Sequence, residues 1–154
     1  MGNRILAVVL GSFAAMFIVG GLEQLVPLLY PVPAHIEPMS KEAVEDMIKG
    51  MPAGAFCCLL TAYAFGTFTG AFLGGLISRK NRMQVSLFVG TIILAGGIVN
   101  FTMLKHPLWF VVVSLIIYLP SAYLGGMLAE QIGKKRTVPV PDEGNRGNQL
   151  DSPI

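Results

Sequence analysis

Four long apolar segments dominate this sequence and limit the folds that the chain can adopt. They lie at about residues 5–26, 53–78, 83–104 and 108–132. A helix rises 1.5 Å per residue, so about 20 apolar residues cross the hydrocarbon core of a bilayer. Within lipid every backbone polar group needs an internal partner, which an α-helix provides. The segments therefore predict an all-α fold, a four-helix transmembrane bundle.

Composition supports lipid as the surrounding medium. Apolar residues make up 53% of the 154-residue chain and charged residues only 13%, about half the charged share of a soluble domain. A soluble chain this short could not bury so much apolar surface in one core. The net charge of +2 is too small to indicate a nucleic acid partner. Cys57 and Cys58 are adjacent, which matches neither a metal-binding spacing nor a disulfide framework.

The first apolar segment has a second interpretation, a cleaved signal peptide. Arg4 precedes it, and Val19, Gly20 and Gly21 offer small residues for cleavage. However, the uncharged stretch from Ile5 to Leu22 is 18 residues long, whereas the apolar region of a signal peptide is usually about 7–15 residues. The length favours a spanning helix, and cleavage stays the alternative.

A polar loop at residues 31–52 follows the first segment and contains one helical signal. Ser40 can cap a helix that Gly50 can close. The apolar residues of this stretch recur at helical spacing, at Val44, Met47, Ile48 and Met51. We predict a short amphipathic helix in this outer loop that covers the bundle or lies on the membrane surface.

The distribution of Lys and Arg predicts the orientation in the membrane, because these residues concentrate on the cytoplasmic side. Eight lie on one side of the predicted spans: Arg4, Arg79, Lys80, Arg82, Lys134, Lys135, Arg136 and Arg146. Three lie on the other: Lys41, Lys49 and Lys105. We therefore expect a membrane domain at residues 1–136 with both termini in the cytoplasm, followed by a polar cytoplasmic tail at residues 137–154.

The second and fourth segments end in similar sequences. Residues 71–78 match residues 122–129 by identity or close similarity at each position. The pattern indicates an internal repeat of a helical hairpin in the same orientation, with a pseudo-two-fold axis along the membrane normal. The alternative is chance similarity between helix ends that are rich in small residues.

Small residues spaced four apart form glycine-zipper faces on the predicted spans, where helix backbones can approach closely. The second span has Gly66, Gly70 and Gly74, and the fourth has Ser121, Gly125 and Ala129. The first span repeats the spacing with Ala7, Gly11 and Ala15. We expect the second and fourth spans to cross at their two faces, with a seam between copies of the chain as the alternative. Pro120 should kink the fourth span.

Three polar residues near the predicted outer boundary are candidates for a site. Glu23, Asn100 and His106 could together bind protons or a divalent ion. The alternative is that each anchors the helices at the headgroup level. No two of them share a ligand spacing on one helix, so no metal site is predicted. No nucleophile–base pair, phosphate-binding loop or zinc motif indicates an enzyme, and no cofactor is expected.

Several stretches carry a resemblance to a known group: residues 23–33, 52–54, 66–78, 106–110 and 119–126. In these the chain resembles a widespread family of small bacterial four-span integral membrane proteins. The most specific stretches are His-Pro-Leu-Trp-Phe at 106–110 and Leu-Pro-Ser-Ala-Tyr-Leu-Gly-Gly at 119–126. The resemblance implies a location in the bacterial inner membrane and implies no particular activity.

These features favour a non-enzymatic subunit, an accessory or scaffold protein that packs with other membrane proteins or with itself. A small oligomeric transporter or channel is the first alternative, which would use the axis of the internal repeat and the bend at Pro120. A membrane enzyme with an outward-facing polar site is the second, because of Glu23 and His106.

Overall fold

The computed structural model describes residues 2–31, 40–78 and 80–135, and these residues form helices and no strand. The predicted tail at residues 137–154, which includes Arg146, lies outside the described residues. Arg79 and Arg136 also lie outside them. The helices are α1 Gly2–Glu23, α2 Val26–Leu29, α3 Lys41–Gly50, α4 Ala53–Ile77, α5 Arg82–Met103 and α6 Leu108–Lys135.

Four of these elements are long and apolar enough to cross a membrane: α1 continued through α2, α4, α5 and α6. The predicted all-α fold of four packed spans with a short helix in the first loop is confirmed. The chain is a multi-pass membrane protein.

The four long helices pack in a diamond arrangement. α4 and α5 contact each other across the middle and both contact α1 and α6, whereas α1 and α6 do not meet within the described residues. α1 runs antiparallel to α4, and α5 runs antiparallel to α6. One end of the bundle, the basic end, carries Arg4, Lys80, Arg82, Lys134 and Lys135. The other end, the loop end, carries α3.

The outer surface of the bundle suits lipid. Large apolar side chains point outward, including Phe17 at 84% exposed, Leu108 at 78% and Ile5 at 67%. Exposed threonines donate their hydroxyl protons to carbonyl oxygens of their own helix, as Thr61 does to Cys57 and Thr91 to Leu87, both at 2.9 Å. Such bonds remove the cost of an unpaired hydroxyl in hydrocarbon.

α3 is the amphipathic helix that the loop sequence predicts. The Ser40 side chain accepts a hydrogen bond from the Ala43 backbone N–H at 3.2 Å and caps its start. Ile48 is buried against the bundle, and the opposite face is polar. On that face Lys49 donates to Asp46 at 2.8 Å, and this hydrogen bond raises the pKa of the Lys49 ammonium above its ordinary value.

A tight connection at the basic end joins α4 to α5. Asn81 has φ of 58° and ψ of 44°, the left-handed conformation that Asn tolerates better than most residues. Arg82 then begins α5, and its guanidinium donates to the Ala129 carbonyl oxygen of α6 at 2.8 Å. The connection therefore holds three helix ends together.

Candidate functional site

An aromatic cluster fills the loop end of the bundle between α4, α5 and α6. Phe110 is fully buried at its centre, and its ring centroid lies 4.9 Å from Phe56, 5.9 Å from Phe101 and 6.0 Å from Tyr63. Trp109 meets Phe56 edge-on at 5.6 Å. Aromatic pairs at these separations contribute beyond their buried area. The cluster gives the neighbouring polar groups an apolar wall.

Glu23 lies beside this cluster, at the last residue of α1, and is half-buried. The Tyr63 hydroxyl of α4 lies near its carboxylate. His106 and Tyr118 are both close enough to interact with that carboxylate electrostatically. Two tyrosine hydroxyls and an imidazole thus lie in the neighbourhood of one acidic group.

His106 is held in place by its backbone and by two rings. Its Nδ1 lies 2.9 Å from the Leu104 carbonyl oxygen, so Nδ1 carries a proton and donates. The imidazole stacks on Phe110 at 5.6 Å and meets Phe101 edge-on at 5.2 Å. Nε2 is therefore the ring nitrogen left to accept a hydrogen bond.

α3 lies over the same end of the bundle and is joined to the α5–α6 turn by charge. Lys105 and Glu45 approach to 3.2 Å, with the Lys105 side chain 81% exposed and that of Glu45 12%. Ile48 belongs to the same buried cluster as Phe56 and Phe110. α3 therefore covers part of the loop end and reduces the access of water to it.

The three residues that the sequence singles out for an outer site do not all meet. Glu23 and His106 lie close enough for their charges to affect each other. Asn100 is exposed on α5, and no contact joins it to either of them within the part of the chain that the structure describes. Among those described residues, no group of three His, Cys, Asp or Glu side chains could hold a metal ion.

Tyr63 and Tyr118 are partners of Glu23 that the sequence reasoning missed. Both are buried, at 4% and 3% exposed, and their ring centroids lie 5.8 Å apart. Tyr63 stands ten residues into a long apolar helix, where an aromatic side chain is unremarkable. The available signal was its hydroxyl, which needs a partner when a tyrosine is buried.

The small-residue face of α4 packs against α1. A Cβ at Gly70 would meet the Ala15 side chain and stand 2.6 Å from the Gly11 carbonyl oxygen. One turn further, a Cβ at Gly74 would stand 3.1 Å from the Ala7 carbonyl oxygen. Gly66 faces the stretch from Ala15 to Val19 in the same way.

The small-residue face of α6 packs against other parts of the bundle. A Cβ at Gly125 would stand 2.5 Å from the Phe68 carbonyl oxygen and 2.9 Å from the Phe72 backbone nitrogen. Ala129 contacts Gly75, and Ser121 is buried. Pro120 is exposed, and α6 continues through it.

The expectation that the α4 and α6 glycine faces meet each other is therefore wrong in its pairing. The two helices do contact, but Gly125 touches the side of α4 that carries Ala71, while Gly70 turns to α1. Both α1 and α6 carry small-residue faces, and the spacing of small residues alone does not determine which of the two helices the Gly70 face of α4 meets.

Comparison with known proteins adds no relative, since no family model, curated protein or solved structure matches this chain. The resemblance to small bacterial four-span membrane proteins, and with it the bacterial inner membrane, stays a hypothesis.

Proposed function

We propose that this protein is a non-enzymatic membrane subunit that packs with another membrane helix through one face of α5. This α5 face consists of Ile92, Gly96, Val99, Asn100 and Met103, all of them exposed. A Cβ added at Gly96 would meet nothing within 4 Å, so another backbone has room to approach there.

Asn100 is the observation that carries this proposal. It turns an amide outward one turn before the end of a spanning helix. Thr102, a nearby exposed residue, donates to the Val99 carbonyl oxygen at 2.7 Å, but the Asn100 side chain has no partner within the described ranges. An unpaired amide in an apolar medium costs several kcal/mol on a hydrocarbon scale, about 4–8. A partner helix removes that cost.

A second copy of the chain is the simplest partner. In a two-fold symmetric pair each residue of the seam meets its own equivalent or a near neighbour. An amide both donates and accepts, so two Asn100 side chains can hydrogen-bond to each other. Interhelical hydrogen bonds of this kind contribute about 1–2 kcal/mol in model membranes.

Native mass spectrometry of the protein released from membranes tests the proposal. We expect a homodimer or a stable complex with another membrane protein, and we expect Asn100→Leu to reduce it roughly tenfold, in line with about 1–2 kcal/mol. Thr102→Val is the matched control, because it removes an exposed polar group that its own helix already satisfies. A monomer with lipid alone, or equal loss in both variants, would overturn the proposal.

A second candidate function is proton or small-cation binding at Glu23, as in an oligomeric transporter. The observation in its favour is the half-buried carboxylate among Tyr63, Tyr118 and His106. Protonation infrared difference spectra would test it. A carboxylic acid band that Glu23→Gln removes and that Tyr63→Phe shifts supports the candidate. A band unchanged in Glu23→Gln contradicts it.

A further inference from the structure

A groove opens toward lipid between α1 and α5 at the basic end of the bundle. It has a volume of about 280 Å³. Ile5 and Val9 of α1 form one wall and Val85 and Phe88 of α5 the other. Ile5, Val9 and Phe88 are 67%, 42% and 63% exposed, so the groove is reached from the side, where hydrocarbon chains lie.

The end of the groove nearest the membrane surface is polar. Arg4, Asn81 and Gln84 line it. The Asn81 amide lies 3.1 and 3.2 Å from the two terminal nitrogens of Arg4, and its oxygen accepts from them in the orientation that satisfies the guanidinium. The Asn81 and Gln84 amides are 2.8 Å apart. These contacts hold the guanidinium at the top of an apolar slot.

Arg4 has spare capacity for an anion. Within the described part of the chain no carboxylate lies within ion-pair distance of it. A guanidinium offers five N–H donors, of which the Asn81 oxygen uses two at most. Arginine binds phosphate with two parallel hydrogen bonds, and the neighbouring amides can add donors.

We propose that this groove binds one phospholipid with an anionic headgroup. The phosphate lies against Arg4, Asn81 and Gln84, and the first part of an acyl chain lies between Val9 and Phe88. A phospholipid presents its negative phosphate at the membrane surface and its hydrocarbon chain below it, which matches the polar end and the apolar walls of the groove. From Asn81 to Phe88 the helix rises about 10 Å, so the groove takes part of one chain.

Native mass spectrometry from vesicles of phosphatidylcholine with a minority of phosphatidylglycerol tests this site. We expect one retained phosphatidylglycerol per chain, and we expect Arg4→Gln to weaken its retention roughly tenfold, the loss of a charge-assisted hydrogen bond. Lys80→Gln is the matched control, because it removes one exposed positive charge at the same end, outside the groove. Equal weakening by both substitutions would overturn the proposal, because non-specific attraction between the positive charges of this end and an anionic lipid would then explain the retention.

A second variant tests the apolar slot independently of the charge. Val9→Phe fills the groove and leaves Arg4 in place, so we expect it to lower phosphatidylglycerol retention as well. Circular dichroism and gel-filtration elution identical to those of the native chain show that each variant folds. Retention unchanged in both Arg4→Gln and Val9→Phe, or retention of phosphatidylcholine equal to that of phosphatidylglycerol, would overturn the proposal.

Discussion

Gly70 shows how a single residue sets the distance between two helices. A Cβ there would stand 2.6 Å from the Gly11 carbonyl oxygen and 2.8 Å from the Ala15 Cα, both backbone atoms of α1. Backbone atoms cannot move away unless the helices separate. We therefore expect Gly70→Ala to lower the free energy of unfolding by about 1–3 kcal/mol, as measured by equilibrium unfolding in mixed micelles.

Gly21→Ala is the matched control for that change. Gly21 is also helical, but it is exposed and a Cβ there would meet nothing within 4 Å. Alanine favours a helix over glycine by up to about 1 kcal/mol, so this variant should be as stable as the native chain or slightly more so. If both substitutions destabilise the protein equally, close packing at Gly70 is not the cause.

At the residue scale the sequence predicted polar residues better than it predicted their partners. Glu23 and His106 stand out because charge next to an apolar run is conspicuous, and in the structure both lie at the loop end of the bundle. Tyr63 and Tyr118 do not stand out, because these spans are apolar all round and periodicity does not show which side faces inward. Asn100 looked similar to Glu23 in sequence and yet faces outward.

Among the elements, α3 is the one whose attachment can be tested alone. Ile48 is 5% exposed and packs into the cluster at the loop end. Truncating a buried isoleucine to alanine costs about 2–5 kcal/mol, and most of that cost should fall on the docking of α3. We expect Ile48→Ala to speed amide hydrogen exchange at residues 41–51 at least tenfold while exchange in α4 stays unchanged.

Lys49→Ala serves as the control for α3. It removes an exposed pair with Asp46, in which the two side chains are 65% and 74% exposed. Exposed pairs contribute about 0–1 kcal/mol, so exchange in α3 should change only slightly. An equal response to Ile48→Ala and Lys49→Ala would mean that burial of the Ile48 side chain is not what holds α3 on the bundle.

Helix positions followed from the sequence, but helix pairing did not. Runs of apolar residues with Pro52 and Pro107 just before α4 and α6 fix where those helices begin, since proline suits a first turn and not an interior. Spacing of small residues by four marks a face that can approach another backbone. It does not say which backbone, and three of the spans carry such a face.

For the whole molecule, charge and topology together predict how the bundle lies in the membrane. α1 begins and α6 ends at the basic end, so four spans bring the first and last described residues to the same side. Arg4, Lys80, Arg82, Lys134 and Lys135 lie there. Because such residues concentrate in the cytoplasm, we expect the basic end to be cytoplasmic and α3 to face the opposite compartment.

Single cysteines labelled with a membrane-impermeant maleimide test this orientation in a chain whose Cys57 and Cys58 are replaced by alanine. Asn3, Lys135 and Lys49 are all exposed, which makes them matched positions. Asn3→Cys and Lys135→Cys should react in inverted vesicles, and Lys49→Cys in right-side-out vesicles. Reaction of positions 3 and 135 from opposite sides would contradict four spans, because two positions lie on opposite sides only when an odd number of spans lies between them. Reaction of all three from one side would place α3 with the basic end and contradict α1 as a span, because α1 is the spanning helix between positions 3 and 49.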